Sequence, residues 1–146
     1  MQGRIKEYEK EGEARGCLLL EIHTGHWADL EIMDRFYRLL HALLLGLTGQ
    51  MDLVNVCWYE GHGAELSQVD VGDDRQCKDL FFRLYQTDFA GMDFDMARTC
   101  LKAFEMRNNS CFRLDSSLCW YRGGQRIHQF SGDNLENEIA DRVFVL

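Results

Sequence analysis

The sequence predicts an α/β protein with a mixed central sheet, flanked by helices and ending in a β-hairpin and a helix. Short apolar runs typical of buried strands alternate with longer segments whose apolar residues recur every three or four positions. Near the C-terminus, two strand-like segments flank paired glycines and precede a last amphipathic segment. With 146 residues, of which 46% are hydrophobic, the chain is long enough for one domain with its own core.

The first half of the chain predicts a charged extension followed by a β-α-β unit. Residues 1–16 are dense in Lys, Arg and Glu and precede the domain, which we place at residues 17–146. Residues 17–22 predict a short buried strand, and residues 51–59, rich in Val, Leu and aromatic side chains, predict a second one. Residues 29–47 between them predict a helix, because one face carries Met33, Phe36, Tyr37, Leu40, Leu43, Leu44 and Leu47.

The middle of the chain is less regular. Residues 66–71 alternate apolar and polar side chains, which leaves a loop and a short edge strand as open alternatives. Residues 92–96 predict a short strand, and residues 97–104 a short helix. Between these segments, Asp73 or Asp74 can cap a helix whose apolar face consists of Cys77, Leu80, Phe81, Leu84 and Tyr85.

The last part of the chain predicts the hairpin and the final helix. Residues 118–121 and 126–130 are strand-like, and Gly123 and Gly124 between them provide the positive φ angles of a tight turn. Asp133 is followed by a glutamate three residues later, the spacing of a capping box. The helix that it opens packs through Leu135, Ile139 and Val143.

Composition narrows the classes of partner. The net charge of −8 and the absence of a basic stripe argue against nucleic acid and anionic membrane surfaces, and a basic protein surface fits better. No apolar run approaches the roughly 20 residues that span a bilayer, so we expect no membrane insertion and no secretion signal. The six cysteines match no zinc or disulfide spacing, and we expect them to be reduced and buried, without metal or cofactor, in an intracellular protein.

Residues 116–134 resemble the last hairpin of the thioredoxin family. Gly123 and Gly124 stand at the family's hairpin turn, and residues 130–134, Phe-Ser-Gly-Asp-Asn, are similar to the family's lead into its last helix. Upstream, residues 53–56 resemble the central strand ahead of the family's active site. The resemblance covers roughly residues 17–143 and implies a thioredoxin-like fold.

The positions that carry the family's chemistry are changed. The resemblance places Gly61 and Ala64 where thioredoxins have their two active-site cysteines, and Ser116 where they have a cis-proline; the chain contains no proline. Disulfide exchange needs a nucleophilic thiolate and a second thiol that resolves the mixed disulfide. A cis bond ahead of Ser116 would cost about 3–4 kcal/mol, so we expect a trans bond and an altered substrate groove. The nucleophile and the groove are therefore both missing.

Five residues are candidates for contacts with a protein partner. Trp58 and Tyr59 end the second strand beside glycines, and His62 lies in the loop that follows. Leu39 and Leu45 widen the apolar surface of the long helix beyond what one domain face needs. A core position is at least as plausible for the two aromatic residues, and a solvated loop position for His62.

Other candidate sites are weaker. His23 and His26 have the spacing of two metal ligands, but no further ligands are suggested, so we predict no metal site. Cys119 and Trp120 are expected to pack against the core.

We therefore expect a redox-inactive, non-enzymatic structural or adaptor subunit of a larger intracellular protein assembly. The resemblance extends to the thioredoxin-like light chains of axonemal dynein, which implies a cytoskeletal or ciliary setting, and to phosducin-like proteins, which bind protein partners. The alternative is a thiol-dependent oxidoreductase or glutathione-using enzyme that works with a single cysteine, Cys57 or Cys111. A small-ligand binding module is a third possibility, with nothing specific in its favour.

Overall fold

A computed structural model describes residues 15–22, 29–60, 65–87, 99 and 111–131. The predicted extension lies outside this range except for its last two residues, which belong to the first strand. The predicted strand at 92–96, the final helix at 133–143 and the loop at 61–64 also lie outside the described residues, as does the short helix at 97–104 apart from residue 99.

The described residues form six strands and two helices. In chain order these are β1 (Arg15–Glu21), α1 (Leu30–Gln50), β2 (Leu53–Glu60), β3 (Glu65–Val71), α2 (Asp74–Gln86), β4 (Phe112–Asp115), β5 (Cys119–Arg122) and β6 (Gln125–Gln129). The strands make one mixed sheet in the order β3-β2-β1-β4-β5-β6. β1 pairs in parallel with β2 and β4, and all other pairs are antiparallel. The predicted α/β class with a mixed sheet is confirmed.

Local sequence explains where each helix begins. Asp29 caps α1, because its carboxylate accepts hydrogen bonds from the backbone N–H groups of Glu31 and Ile32. Asp73, one of the two predicted caps, accepts from the N–H of Gln76 at 2.8 Å and starts α2. The α1 helix runs three residues beyond its predicted end, to Gln50.

The prediction left one strand undecided and missed another. Residues 66–71 belong to the edge strand β3, which decides between the two alternatives left open. Strand β4 was not predicted, because its four residues, Phe-Arg-Leu-Asp, are few and half of them are charged. The predicted hairpin is confirmed as β5 and β6, with positive φ angles of 57° at Gly123 and 82° at Gly124.

Both described helices pack on one face of the sheet. Alternate residues of the strands, such as Leu18, Val56 and Trp120, join the buried faces of α1 and α2 in one continuous apolar cluster. Phe112 stacks on Trp120 with ring centroids 4.9 Å apart. We call this the helix-covered face.

The other side of the sheet, which we call the second face, has a different chemistry. Its small apolar cluster contains Leu19, Cys57, Tyr59 and Cys111. Further along the strands, this face carries charged and hydroxyl groups that interact with one another.

One contact links α2 to the outer edge of the sheet. The Arg83 guanidinium donates a hydrogen bond of 3.0 Å to the backbone carbonyl of Gln68 in β3. The same guanidinium lies 5.3 Å from the centre of the Trp58 ring. Arg83 therefore joins the helix, the edge strand and the core.

Candidate functional site

A cleft of about 500 Å³ opens at the carboxyl end of β4. Its wall includes Ile32 and Arg35 from the first turns of α1, Ser117 and Leu118 from the β4–β5 turn, and Phe130. In the strand order, the chain leaves β1 toward β2 on one side and returns to β4 on the other. Clefts at such reversals, beyond the carboxyl ends of parallel strands, are the usual ligand sites of open α/β sheets.

Asp115 organises the turn that forms one wall of the cleft. Its carboxylate is buried and accepts hydrogen bonds from the N–H groups of Ser117 (2.9 Å) and Cys119 (3.0 Å) and from the Tyr121 hydroxyl (2.9 Å). Burial, together with the hydrogen bond to Asp115, raises the pKa of the Tyr121 hydroxyl. One carboxylate thus fixes both ends of the turn.

The same turn holds a strained backbone residue. Leu118 has a φ of 66°, in the left-handed region that branched side chains disfavour. Its N–H donates to the carbonyl of Asp115, its own carbonyl accepts from Phe130, and its side chain is buried. These contacts hold Leu118 in its strained backbone conformation. Such strain occurs at functional sites as well as in tight turns.

Ser116, the position compared with the family's cis-proline, lies at the base of this turn. It is fully buried, and its N–H donates to the carbonyl of Glu21 at 2.9 Å. No peptide bond among the described residues is cis. The backbone N–H of Ser116 is therefore hydrogen-bonded within the fold.

The cleft contains little of what acid–base catalysis requires. Arg35 is paired with Glu31 at 2.8 Å, and the remaining described lining consists of hydroxyl, amide and apolar side chains. Within the described lining there is no pair of carboxylates and no histidine.

The second face holds an ion pair next to this turn. Arg113 Nη1 lies 3.2 Å from Glu21 Oε2, and both side chains are largely shielded from water. The Arg113 guanidinium also stacks 3.7 Å above the centre of the Tyr121 ring. Arg113 thus connects β1, β4 and β5 across the sheet.

Three cysteines meet on the second face, on neighbouring strands. Cys17 Sγ lies 2.7 Å from Cys111 Sγ, and Cys57 Sγ lies 2.9 Å from Asn55 Oδ1. Hydrogen bonds from Cys111 and Cys57 lower the pKa of Cys17 to about 4, whereas their bonds to Cys17 and their burial raise the pKa of both donors. Cys17 is therefore the most acidic thiol of the cluster. Spacing along the sequence gave no signal for this cluster, because the three residues meet only through strand register.

The predicted partner-binding residues separate into buried and exposed ones. Leu39, Trp58 and Tyr59 are buried, which corrects their assignment to a binding surface; for Trp58 and Tyr59 this is the core alternative. Leu45 is 55% exposed. His62 lies outside the described residues, as do Gly61, Ala64, His23 and His26. Cys119 and Trp120 are buried, as predicted.

The structure adds an exposed aromatic surface that the sequence pattern did not single out. Phe82 and Tyr85 on α2 are 64% and 63% exposed, and Tyr85 contacts Tyr37 of α1 with ring centroids 4.7 Å apart. Phe81 lies between Tyr37 and His41 along the seam of the two helices. With Leu45, these side chains form what we call the α1–α2 aromatic surface. In the sequence, Phe82 falls outside the apolar face predicted for α2, and this position is the signal that could have indicated its exposure.

Two classes of site are not represented in the described ranges. No group of three or more His, Cys, Asp or Glu side chains in them is arranged to hold a metal ion. Neither α1 nor α2 has the length and apolar character that crossing a membrane requires.

Comparison of the chain with protein-family models, with curated proteins and with solved structures gives no match. The described residues define an α/β fold with a mixed six-stranded sheet and two helices.

Proposed function

We propose that this protein is a divergent thioredoxin-like domain that acts as a non-catalytic structural or adaptor subunit of a larger protein assembly. The observation that carries the proposal is the α1–α2 aromatic surface, where two large aromatic side chains of one short helix are mostly exposed. Aromatic residues are enriched at protein interfaces, and a few of them contribute most of the binding energy.

The thioredoxin-like assignment is supported by the hairpin. The β5–β6 pair and its glycine turn form the hairpin on which the family resemblance is based. The assignment predicts a further helix at residues 133–143, packed beside the hairpin. Amide hydrogen exchange on the full chain tests this, and unprotected amides throughout that segment would contradict the assignment.

The non-catalytic part of the proposal is supported by the thiols. Cys57 and Cys111, the two cysteines suggested for a single-thiol enzyme, are buried and have raised pKa values. Cys17 has a lowered pKa, but its side chain is half-buried and lies against Cys111. This half-burial limits the approach of a protein disulfide to the sulfur.

The partner is expected to be a protein with a basic surface. The chain has a net charge of −8, which favours encounter with positive charge, and the aromatic surface then provides the contact area. The family resemblance suggests a cytoskeletal or ciliary assembly of the axonemal dynein type, in the cytoplasm.

The test is cross-linking of the native assembly through Lys78. This lysine is on α2, one turn before Phe82, and is the only lysine among the described residues. We expect stoichiometric cross-links from Lys78 to one partner, lost in the Phe82→Ser/Tyr85→Ser double variant. Ile127→Ser on β6, where Ile127 is 46% exposed, is the matched control and is expected to retain them.

Two results would overturn the proposal. The first is a native protein that is recovered as a monomer with no stable partner. The second is reduction of insulin or of glutathione disulfide by the purified chain, with turnover that is lost in Cys17→Ser.

A further inference from the structure

The cysteine cluster on the second face follows from strand register. Leu18 pairs with Phe112 in the parallel β1–β4 ladder, so Cys17 and Cys111, each one residue earlier, are side by side. On the other flank, Leu19 pairs with Cys57, which places Cys57 diagonally across from Cys17. All three cysteines are free thiols, although 94 positions separate Cys17 from Cys111 in the chain.

We propose that Cys17 and Cys111 form a redox site that hydrogen peroxide oxidises to an intramolecular disulfide, which a small dithiol reduces back to the two thiols. The inference is independent of the proposed function, since the oxidant is a small molecule and no protein substrate takes part.

The geometry suits this bond. The two Sγ atoms are 2.7 Å apart. Neighbouring strands are about 4.8 Å apart, a spacing that falls within the Cα separation of disulfides, about 4.4–6.8 Å. The bond can therefore form without separation or rearrangement of the strands.

The chemistry assigns a role to each sulfur. Cys17 is half-buried and has a lowered pKa, which favours attack of its sulfur on a small peroxide, whereas Cys111 is buried and its pKa is raised. The Cys17 sulfur attacks one peroxide oxygen: an S–O bond forms, the O–O bond breaks and hydroxide leaves. The Cys111 sulfur then attacks the Cys17 sulfur, the S–O bond breaks, and the departing hydroxide takes the Cys111 proton as water.

Cys57 has a different role in this scheme. It is fully buried, its thiol donates a hydrogen bond of 2.9 Å to Asn55 Oδ1, and its proximity helps to lower the pKa of Cys17. It supports the Cys17 thiolate and remains reduced. This distinction between Cys111 and Cys57 makes the proposal specific.

The experiment is disulfide mapping of the full chain. The reduced protein is treated with hydrogen peroxide, its remaining thiols are blocked with N-ethylmaleimide, and it is digested without reduction for mass spectrometry. We expect a peptide that joins Cys17 to Cys111 in the wild type, and its disappearance after dithiothreitol. Mapping of the wild type needs no variant to fold.

Variants then separate the roles. Cys57→Ser is expected to retain the Cys17–Cys111 peptide, and so is Cys77→Ser, the matched control, since Cys77 is buried on the helix-covered face. In Cys111→Ser, Cys17 is expected to accumulate as a sulfenic acid that dimedone traps. A Cys17–Cys57 disulfide in the wild type, or blocking of both Cys17 and Cys111 by maleimide after peroxide treatment, would overturn the proposal.

Discussion

Replacement of Asp115 by alanine tests whether one carboxylate holds the β4–β5 turn. The substitution removes the acceptor of three hydrogen bonds, two of them from backbone N–H groups that remain in the fold. A hydrogen bond to a charged group contributes about 1.5–3 kcal/mol, and an unsatisfied buried donor costs about 1–3 kcal/mol. Since the Cys119 N–H is buried and the Ser117 N–H is partly so, we expect Asp115→Ala to lower the free energy of unfolding by about 4 kcal/mol.

Tyr121→Phe is the matched control for Asp115→Ala. It removes only the bond from the tyrosine hydroxyl and leaves both backbone bonds to Asp115, so we expect a loss of about 1.5 kcal/mol, the lower end of the range for a bond to a charged group, because this bond is only partly buried. Urea unfolding followed by tryptophan fluorescence measures both variants, since Trp58 and Trp120 are fully buried. If Asp115→Ala costs no more than Tyr121→Phe, the carboxylate does not organise the turn and the reasoning fails.

Three further substitutions test other features by the same unfolding measurement. The Leu118→Gly variant should be more stable than the Leu118→Ala variant by about 1 kcal/mol, because glycine removes the strain of the left-handed backbone. If the alanine variant is instead the more stable of the two, the backbone at this position is not strained. Asp73→Ala should lower stability by about 1 kcal/mol through loss of the α2 cap, and Asp73→Ser by only a few tenths; equal losses would argue against capping. Arg113→Met should cost about 3 kcal/mol because the shielded Glu21 carboxylate loses its guanidinium partner, and a second change, Glu21→Gln, should restore part of this; simple addition of the two losses would exclude coupling.

The periodicity of apolar residues predicts the helices and strands that bury one continuous face against the core. The apolar stripe of α1 and the apolar runs of β1 and β2 were predicted to within a few residues, since these segments face the core along their length. The glycine turn of the hairpin was predicted because only a positive φ suits that position. Local patterns of this kind depend on neighbours in the chain.

The residues of the site could not be predicted in the same way. Strand β4 carries Arg113 and Asp115, and charged residues do not indicate a buried strand. Only their contacts with Glu21 and Tyr121, which the sequence does not show, explain why this strand can be buried. The pairing of Cys17 with Cys111 depends on the parallel register of β1 and β4, which spans most of the chain. Trp58 and Tyr59 were assigned to a surface because they end a strand beside glycines, but both faces of β2 are covered at that point.

The contact between Arg83 and β3 has a consequence for self-association. An edge strand presents unpaired backbone groups, and another chain can add a strand to them and so start aggregation. Arg83 donates a hydrogen bond to the Gln68 carbonyl of the edge strand β3, and its guanidinium also lies beside the Trp58 ring. At the opposite edge, β6 is short and mostly polar, with Arg126 and the flanking glutamines exposed. Within the described part of the chain, both borders of the sheet are thereby made less favourable for strand addition, which works against self-association through the sheet.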